Sequence, residues 1–319
     1  MIQDWGVTYD EFEPFYDRFE YPNPPTDPTY AGALFANAAV QLGYTPFQMP
    51  SANMTRPYTN FEGISMQACT VCGFCERFAC EHFAKASPQT TILPKALSYP
   101  NVELRTRAHV RRVLLDSERK RGTAVLYVDG AGQEVEQPAE IVILCAFALN
   151  NVKLLLNSGI GQPYDSATGQ GTIGRNYTYQ TMAAVNVFYP ESVRINPFIG
   201  AGALRTVIDD YNGDNFDHAG LGFVGGEIVV PSYRPTPDSI VPYQMNHNTG
   251  GAVMGTDPKT SVVNRYLQSW DVSNVFVQGA CASPQNPGYN PTGTVGALVY
   301  WTVKAIREQN LKHPGPLVR

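Results

Sequence analysis

The sequence predicts an α/β protein carrying an α+β region, and three observations lead there. Apolar, β-branched runs between Val102 and Cys145 read as strands and lead into a helical pattern from Phe147 to Asn157. A second long helix, from about Thr294 to Gln309, follows an entry punctuated by proline and glycine. Between them, Tyr177 to Val230 alternates β-rich pieces with Gly, Asp and Asn turns, the pattern of an antiparallel sheet. A chain of 319 residues is long enough to bury a large core and to divide into two domains.

Each element has its own justification. Thr8 to Glu20 places Phe12, Phe15, Tyr16 and Phe19 on one helical stripe, with Thr8 and Glu11 spaced as a capping box and Pro14 disturbing the first turns. Tyr21 to Thr29 is proline-rich and reads as loop, and Ala31 to Leu42 as a second helix. Four strands are expected at Val102–Thr106, Val113–Leu115, Ala124–Val128 and Ile141–Cys145. Asp129-Gly130 and Gly132 form a turn after the third of them. Ser158-Gly159 stops the helix that follows. Cys145 and Cys281 are expected to be small buried hydrophobes.

Composition excludes several functions. Hydrophobic residues make up 43% and charged residues 16%, an ordinary globular balance rather than a disordered one. The net charge is -5 with no basic run, which argues against nucleic acid as a partner. No apolar stretch approaches the ~20 residues of a membrane span. The acidic, aromatic N-terminus reads as neither signal nor transit peptide, so export or membrane attachment is expected to come through a partner.

The densest chemical signal is Cys69-x-x-Cys72-x-x-Cys75 followed by Cys80. Neighbouring cysteines at this spacing cannot all bridge one another without strain. The run suits a compact iron–sulfur cluster, although the last gap is four residues and Glu81, not proline, follows. Structural zinc would ask for a second cysteine or histidine pair on a separate knuckle. Free thiols are the remaining alternative. Gly169 to Gly174 fits G-x-G-x-x-G, but loop-like residues precede it and the strand-like Ala183–Tyr189 follows. The dinucleotide fingerprint needs a strand before it and a helix after it, so a surface loop is expected.

Two blocks near the C-terminus complete the pattern: Asn246-His247-Asn248-Thr249-Gly250-Gly251, and Asn286-Pro287-Gly288-Tyr289-Asn290-Pro291-Thr292-Gly293-Thr294 opening the last helix. Alone, a histidine before a glycine turn is most simply structural, and Asn290-Pro291-Thr292 is an ordinary helix entry with Thr292 or Thr294 as N-cap. No partner can be named for His82, His218 or His313. In combination, and with Val102 to Gly161 ahead of them, these blocks resemble the glucose–methanol–choline (GMC) family of flavin oxidoreductases, and within it the large flavoprotein subunits of membrane-bound sugar, sugar-acid and polyol dehydrogenases.

That resemblance implies an incomplete GMC-like FAD-binding domain (100–165 and 268–312), a substrate domain with an antiparallel sheet (166–267), and an N-terminal part bearing the cluster loop (1–99). It implies His247 as the base beside the flavin and Asn290 as the second catalytic residue. FAD would lie against His109, Val110, Cys145, Ala146, Gly279, Ala280, Pro291 and Thr292, with helix-terminal amides aimed at the flavin edge. Cys69, Cys72, Cys75 and Cys80 would ligate a three- or four-iron cluster. The implied reaction is oxidation of an alcohol group of a sugar, polyol or aldonate, with electrons leaving through the cluster. A small exported subunit and a cytochrome c or quinone acceptor are the implied partners, on the periplasmic side of the inner membrane. Full-length members begin with a strand, glycine loop and helix that hold the FAD pyrophosphate. The chain also looks shortened between Glu20 and Tyr30 and around Ser232 to Asp238, so a truncated or internally deleted member is expected.

Overall fold

The computed structural model describes residues 3–18, 21–75, 79–180, 187–196, 198–200, 206–221, 247–286 and 290–318. In chain order the helices are α1 (Tyr9–Tyr16), α2 (Tyr30–Gln41), the short α3 (Pro88–Thr91) and α4 (Leu93–Ala96), α5 (Ala148–Ser158) and α6 (Thr292–Ala305). The strands are β1 (Phe47–Gln48), β2 (Tyr58–Thr59), β3 (Ser65–Met66), β4 (His109–Leu115), β5 (Gly122–Val128), β6 (Glu134–Pro138), β7 (Val142–Leu144), β8 (Thr206–Val207) and β9 (Val275–Val277). The chain forms two compact units: Met1–Glu20, Arg105–Ala183 and Gln244–Arg319 make one, and Tyr21–Leu104 with Ala184–Tyr243 make the other.

The larger unit is built on an antiparallel β4-β5-β6 meander and a parallel pair, Val142↔Val275 through Leu144↔Val277. The β5–β6 turn follows the expected Asp129 to Gly132 signal, with Asp129 Oδ1 accepting from the amides of Ala131 and Gln133. α5 packs on β4, and Ser158 fastens the two: its hydroxyl accepts from Val113 N at 2.8 Å and donates to Leu154 O at 2.6 Å. Gly159 then ends the helix in the left-handed conformation, φ 62°. Strand 142–144 and α6 share one core, where Val142, Leu144, Leu155, Val275, Val277, Ala297 and Leu298 are all buried.

α1 joins that core through Phe12 and Phe15, whose rings meet Trp301 edge-on at 6.4 and 5.4 Å. Its capping box forms as expected, Glu11 N to Thr8 Oγ1 at 3.3 Å and Thr8 N to Glu11 Oε2 at 3.0 Å. The helix stops at Tyr16, short of Glu20, and Pro14 sits inside it.

Asn274 is the clamp of this unit. Its side chain accepts from Gly122 N and donates to Gly122 O and Glu140 O, each at 2.7 Å, and it is buried. These bonds fix the start of β5 and the approach to β7 against β9. Asn274→Ala leaves buried backbone groups unpaired, so we expect a loss of about 3 kcal/mol. Guanidinium denaturation measures it, and a loss below about 1 kcal/mol would mean that water replaces the amide.

Several expectations are corrected. Val102–Thr106 is not a strand: Val102 and Leu104 are exposed, Arg107 takes φ 53°, and extended pairing begins only at His109. β6, with its charged Glu-Val-Glu-Gln-Pro sequence, was not anticipated as a strand; β5 recruits it by ladder hydrogen bonds. Thr292 and Thr294 do not cap α6. Pro291 holds that position, and Thr294 Oγ1 meets Tyr16 OH at 2.9 Å. Cys145 is exposed, because it lies just past the end of β7, whereas Cys281 is fully buried. Of the strand expected at Ala183–Tyr189, residues 181–186 lie outside the described set, and 187–189 form no strand. Part of the expected antiparallel substrate region, residues 181–186, 197, 201–205 and 222–230, also lies outside it, and the described remainder is mostly turns and irregular chain. Its pairings among the described residues are the Thr178↔Thr249 and Cys72↔Ile199 bridges and β8, paired antiparallel to β1.

The smaller unit holds α2, whose N-cap Thr29 accepts from Gly32 N, the β1–β8 and β2–β3 pairs, and the cysteine loop. No helix among the described residues is long and apolar enough to cross a membrane.

Candidate active site

Ligand sites in parallel α/β sheets open at the carboxyl ends of the strands, where loops diverge. Here β7 runs out into Cys145-Ala146 and β9 into Gln278-Gly279-Ala280. One buried residue ties the two ends together. Asn151, on α5, accepts from Ala146 N at 2.8 Å and donates to Gln278 O at 2.8 Å, with Cys281 Sγ at 3.2 Å. A Cβ at Gly279, where φ is 110°, would point into open space. Asn151 was not legible beforehand, because its partners lie far away in sequence.

A cavity of about 520 Å³ lies beside the end of β7. β4 contributes His109 and Val110 to its wall, and α5 contributes Asn150, Lys153 and Asn157, with Ala146 between. Three residues expected along FAD, His109, Val110 and Ala146, thus meet at one cavity. Its volume falls within the usual range for a small-molecule site.

The histidine segment is zipped to the turn after β9. Gly250 N donates to Ala280 O, Ala252 N to Cys281 O and Met254 N to Ala282 O, at 2.8 to 3.1 Å. The double glycine makes this approach possible: a Cβ at Gly250, φ 77°, would lie 1.8 Å from Asn176 O. His247 sits at the head of the segment with φ 56°, its carbonyl accepting from Asn286 Nδ2 at 2.6 Å. Its Nδ1 lies 2.5 Å from Gln180 Oε1. With an amide oxygen as acceptor, Nδ1 carries the proton and Nε2 keeps its lone pair. Burial lowers the imidazole pKa below its ordinary value and favours the neutral form. Tyr177 donates to Asn248 Oδ1, and the hydroxyls of Thr178 and Thr249 meet at 2.8 Å, bracing the same stretch.

Asn290 is exposed, directly before Pro291 and the first turn of α6. Asn286, which donates to His247 O, stands four positions ahead of Asn290, and residues 287–289 between them lie outside the described set. Two buried side-chain oxygens in this neighbourhood, Gln278 Oε1 and Asn286 Oδ1, have no hydrogen-bond partner. Buried acceptors without donors are costly. Their position at the strand end and beside His247 suits a ligand bearing N–H or O–H groups, as FAD does. The residues present therefore fit the cofactor.

In the smaller unit the cysteine loop hangs on a short frame. Met54 N donates to Ala84 O, and Cys69 N to Met54 O, so residues 52–54 run between the two arms of the loop. Gly73 closes against residue 198: a Cβ there would lie 2.7 Å from Phe198 Cα. Asn53 Nδ2 reaches Cys69 Sγ at 3.6 Å and Cys75 Sγ at 3.7 Å, and Val71 N reaches Cys69 Sγ at 3.3 Å. Burial raises the Cys75 thiol; the Asn53 amide offsets part of that, and neighbouring Cys69 and Cys72 raise it further. Burial pushes the Cys80 thiol up too, but the amides of Ala84, Lys85 and His82 outweigh it and hold it below its ordinary value. All four thiols are free. Among the described residues no three His, Cys, Asp or Glu side chains close on a point in the way one metal ion requires. Cysteine sulfurs flanked by N–H donors are the donor set of iron–sulfur centres, so these residue types suit that group chemically.

Two GMC oxidoreductase family models match the chain, the N-terminal one over residues 6–182 and the C-terminal one over 218–298. The chain belongs to the GMC oxidoreductase family, whose members bind FAD and act on CH–OH donors. It is 38% identical to the gluconate 2-dehydrogenase flavoprotein of Pantoea cypripedii, an alignment covering all of this chain and 74% of that one. The fructose dehydrogenase large subunit of Gluconobacter japonicus is 39% identical over 61 residues, 19% of this chain and 11% of that one. Among solved structures, the formate oxidase of Aspergillus oryzae matches at a TM-score of 0.44 and 13% identity, over 70% of this chain and 63% of that one. The gluconate dehydrogenase alignment runs over 455 positions against 319 residues here, which leaves 136 positions of the relative without a counterpart.

Proposed function

We propose that the chain is the flavoprotein of a dehydrogenase that oxidises an alcohol group of a sugar, polyol or aldonate and releases electrons singly through an iron–sulfur centre. The observation that carries this reading is His247, a half-buried neutral imidazole whose Nδ1 is held by Gln180 and whose segment is laced to the carboxyl end of β9. FAD would be held by His109, Val110, Cys145, Ala146, Gly279, Ala280, Pro291 and Thr292, and when bound it supplies the acceptor for the substrate hydride.

The chain's own residues do the rest. His247 Nε2 takes the substrate hydroxyl proton as the carbon is oxidised. Asn290 orients the same oxygen through its carboxamide without competing for the proton. The α6 N-terminus beside Asn290 favours negative charge developing near it. Cys69, Cys72, Cys75 and Cys80 would hold the cluster, which supplies one-electron transfer. A smaller exported subunit and a cytochrome c or quinone acceptor would complete the assembly on the periplasmic side of the membrane. The name of the gluconate dehydrogenase relative and the designation "large subunit" for the fructose dehydrogenase support this reading.

A second reading is a non-catalytic relative that folds without flavin, and the 136 unmatched positions favour it. An optical spectrum of the purified protein separates the two. Flavin bands that bleach when gluconate, a polyol or a sugar is added support the enzyme. A folded protein with no flavin, even after incubation with FAD, overturns it.

A further inference from the structure

We propose that Asn53 is the positioning residue of the cysteine loop, a single side-chain donor shared by two cluster sulfurs that sets the reduction potential of the centre. The inference rests on the iron–sulfur reading above. Asn53 is 6% exposed and lies on the strip between the two arms of the loop. Its carboxamide has one orientation available. Ser51 Oγ donates to Asn53 Oδ1 at 2.9 Å and accepts from Asn53 N at 3.2 Å, which commits the oxygen to the serine and turns Nδ2 away from it. Nδ2 then faces two acceptors together, Cys69 Sγ at 3.6 Å and Cys75 Sγ at 3.7 Å.

Both distances suit N–H···S bonds, and an NH₂ group has the two hydrogens needed to serve both sulfurs. Asn53 is buried and both bonds are partly so, which makes each stronger than it would be in water. Two cysteines six positions apart are thereby held by one donor before any iron arrives. Hydrogen bonds to the sulfurs draw negative charge off the centre, stabilise the electron-rich reduced state and raise the potential. Lys85 adds to the frame, since its Nζ donates to Cys75 O at 2.8 Å.

The test is a redox titration of anaerobically prepared protein, followed by electron paramagnetic resonance, with iron and acid-labile sulfide assayed in parallel. Asn53→Leu keeps the branched shape of the side chain and removes both donors. The expected result is about a tenfold fall in the reduced-to-oxidised ratio at a fixed potential, a shift of about 59 mV for a one-electron couple. Ser51→Ala leaves the carboxamide in place but frees it to rotate, and is expected to move the potential part of the way in the same sense. If Asn53→Leu assembles no cluster, Ser51→Ala decides. Cluster content and potential equal to the parent in Ser51→Ala, and in Asn53→Leu where it loads, overturn the inference while leaving the cluster intact. A parent protein that takes up no iron and sulfide overturns the cluster reading and this inference with it.

Discussion

Replacing His247 by alanine is expected to slow reduction of bound flavin by about 10²–10⁴-fold, the usual worth of a positioned general base. Stopped-flow mixing with substrate measures this directly, because flavin reduction precedes every later electron transfer. Asn290→Ala should cost less, since orientation of an oxygen is a smaller contribution than removal of its proton. The pH dependence follows from burial. The folded-state pKa of His247 lies below the ordinary value of 6.5, so the base stays neutral through that value and the rate falls only on its acid side. The alanine variant should lose that acid limb. Stability follows the same sign. The unfolded chain takes up the proton first, so this contribution is whole above 6.5 and is lost as pH falls from there through the lower folded-state value. Equal rates in parent and alanine variant, with flavin bound in both, would remove His247 from the chemistry.

Serine at Cys75 is expected to abolish reduction of a cytochrome acceptor while leaving substrate-driven flavin bleaching largely intact. On the proposed function the order of events decides this: hydride transfer would need only the larger unit's site, whereas single-electron exit would need the cluster. Cys75 is the informative position, because its sulfur is paired with that of Cys69 on Asn53 and sits close enough to Cys69 and Cys72 to be perturbed by both. Iron and acid-labile sulfide should fall together in the variant. Zinc in the parent, with no labile sulfide, would refute the iron–sulfur assignment. Parallel loss of both half-reactions would point instead to a structural role for the loop.

Much of the larger unit was legible in the sequence because its signals are local. β5 and β7 are apolar runs bounded by turn residues, α5 ends on a glycine that adopts φ 62°, and Thr8 with Glu11 forms the capping box that its spacing announces. Where local preference and tertiary context disagree, context prevails. Val102–Thr106 has strand-forming side chains but no strand beside it among the described residues, and Glu134–Pro138 has few such side chains yet pairs with β5 along its whole length. The supports of the candidate site were opaque. His247 was singled out by the family resemblance, not by its local sequence, since a histidine before a glycine turn is by itself most simply structural. Gln180, Asn286 and Asn151, which hold it and the strand ends in place, come from segments with no pattern joining them. Asn53 is silent for the same reason: an asparagine sixteen positions before the first cysteine announces nothing until the chain has folded.

The pairing of Val142–Leu144 with Val275–Val277 carries a consequence for biogenesis. At about 5–20 residues per second, a ribosome needs about 7–27 s to travel from the first of these strands to the second. Throughout that interval β7 has been synthesised but β9 has not, so an apolar edge waits without its neighbour. The meander and α5 can form early from their own contacts, but the carboxyl-end platform cannot, because Gln278 and Cys281 are still to be made. A nascent chain stalled in that window displays a sticky strand rather than a half-built catalyst. The platform is closed last, by residues from the far end of the chain.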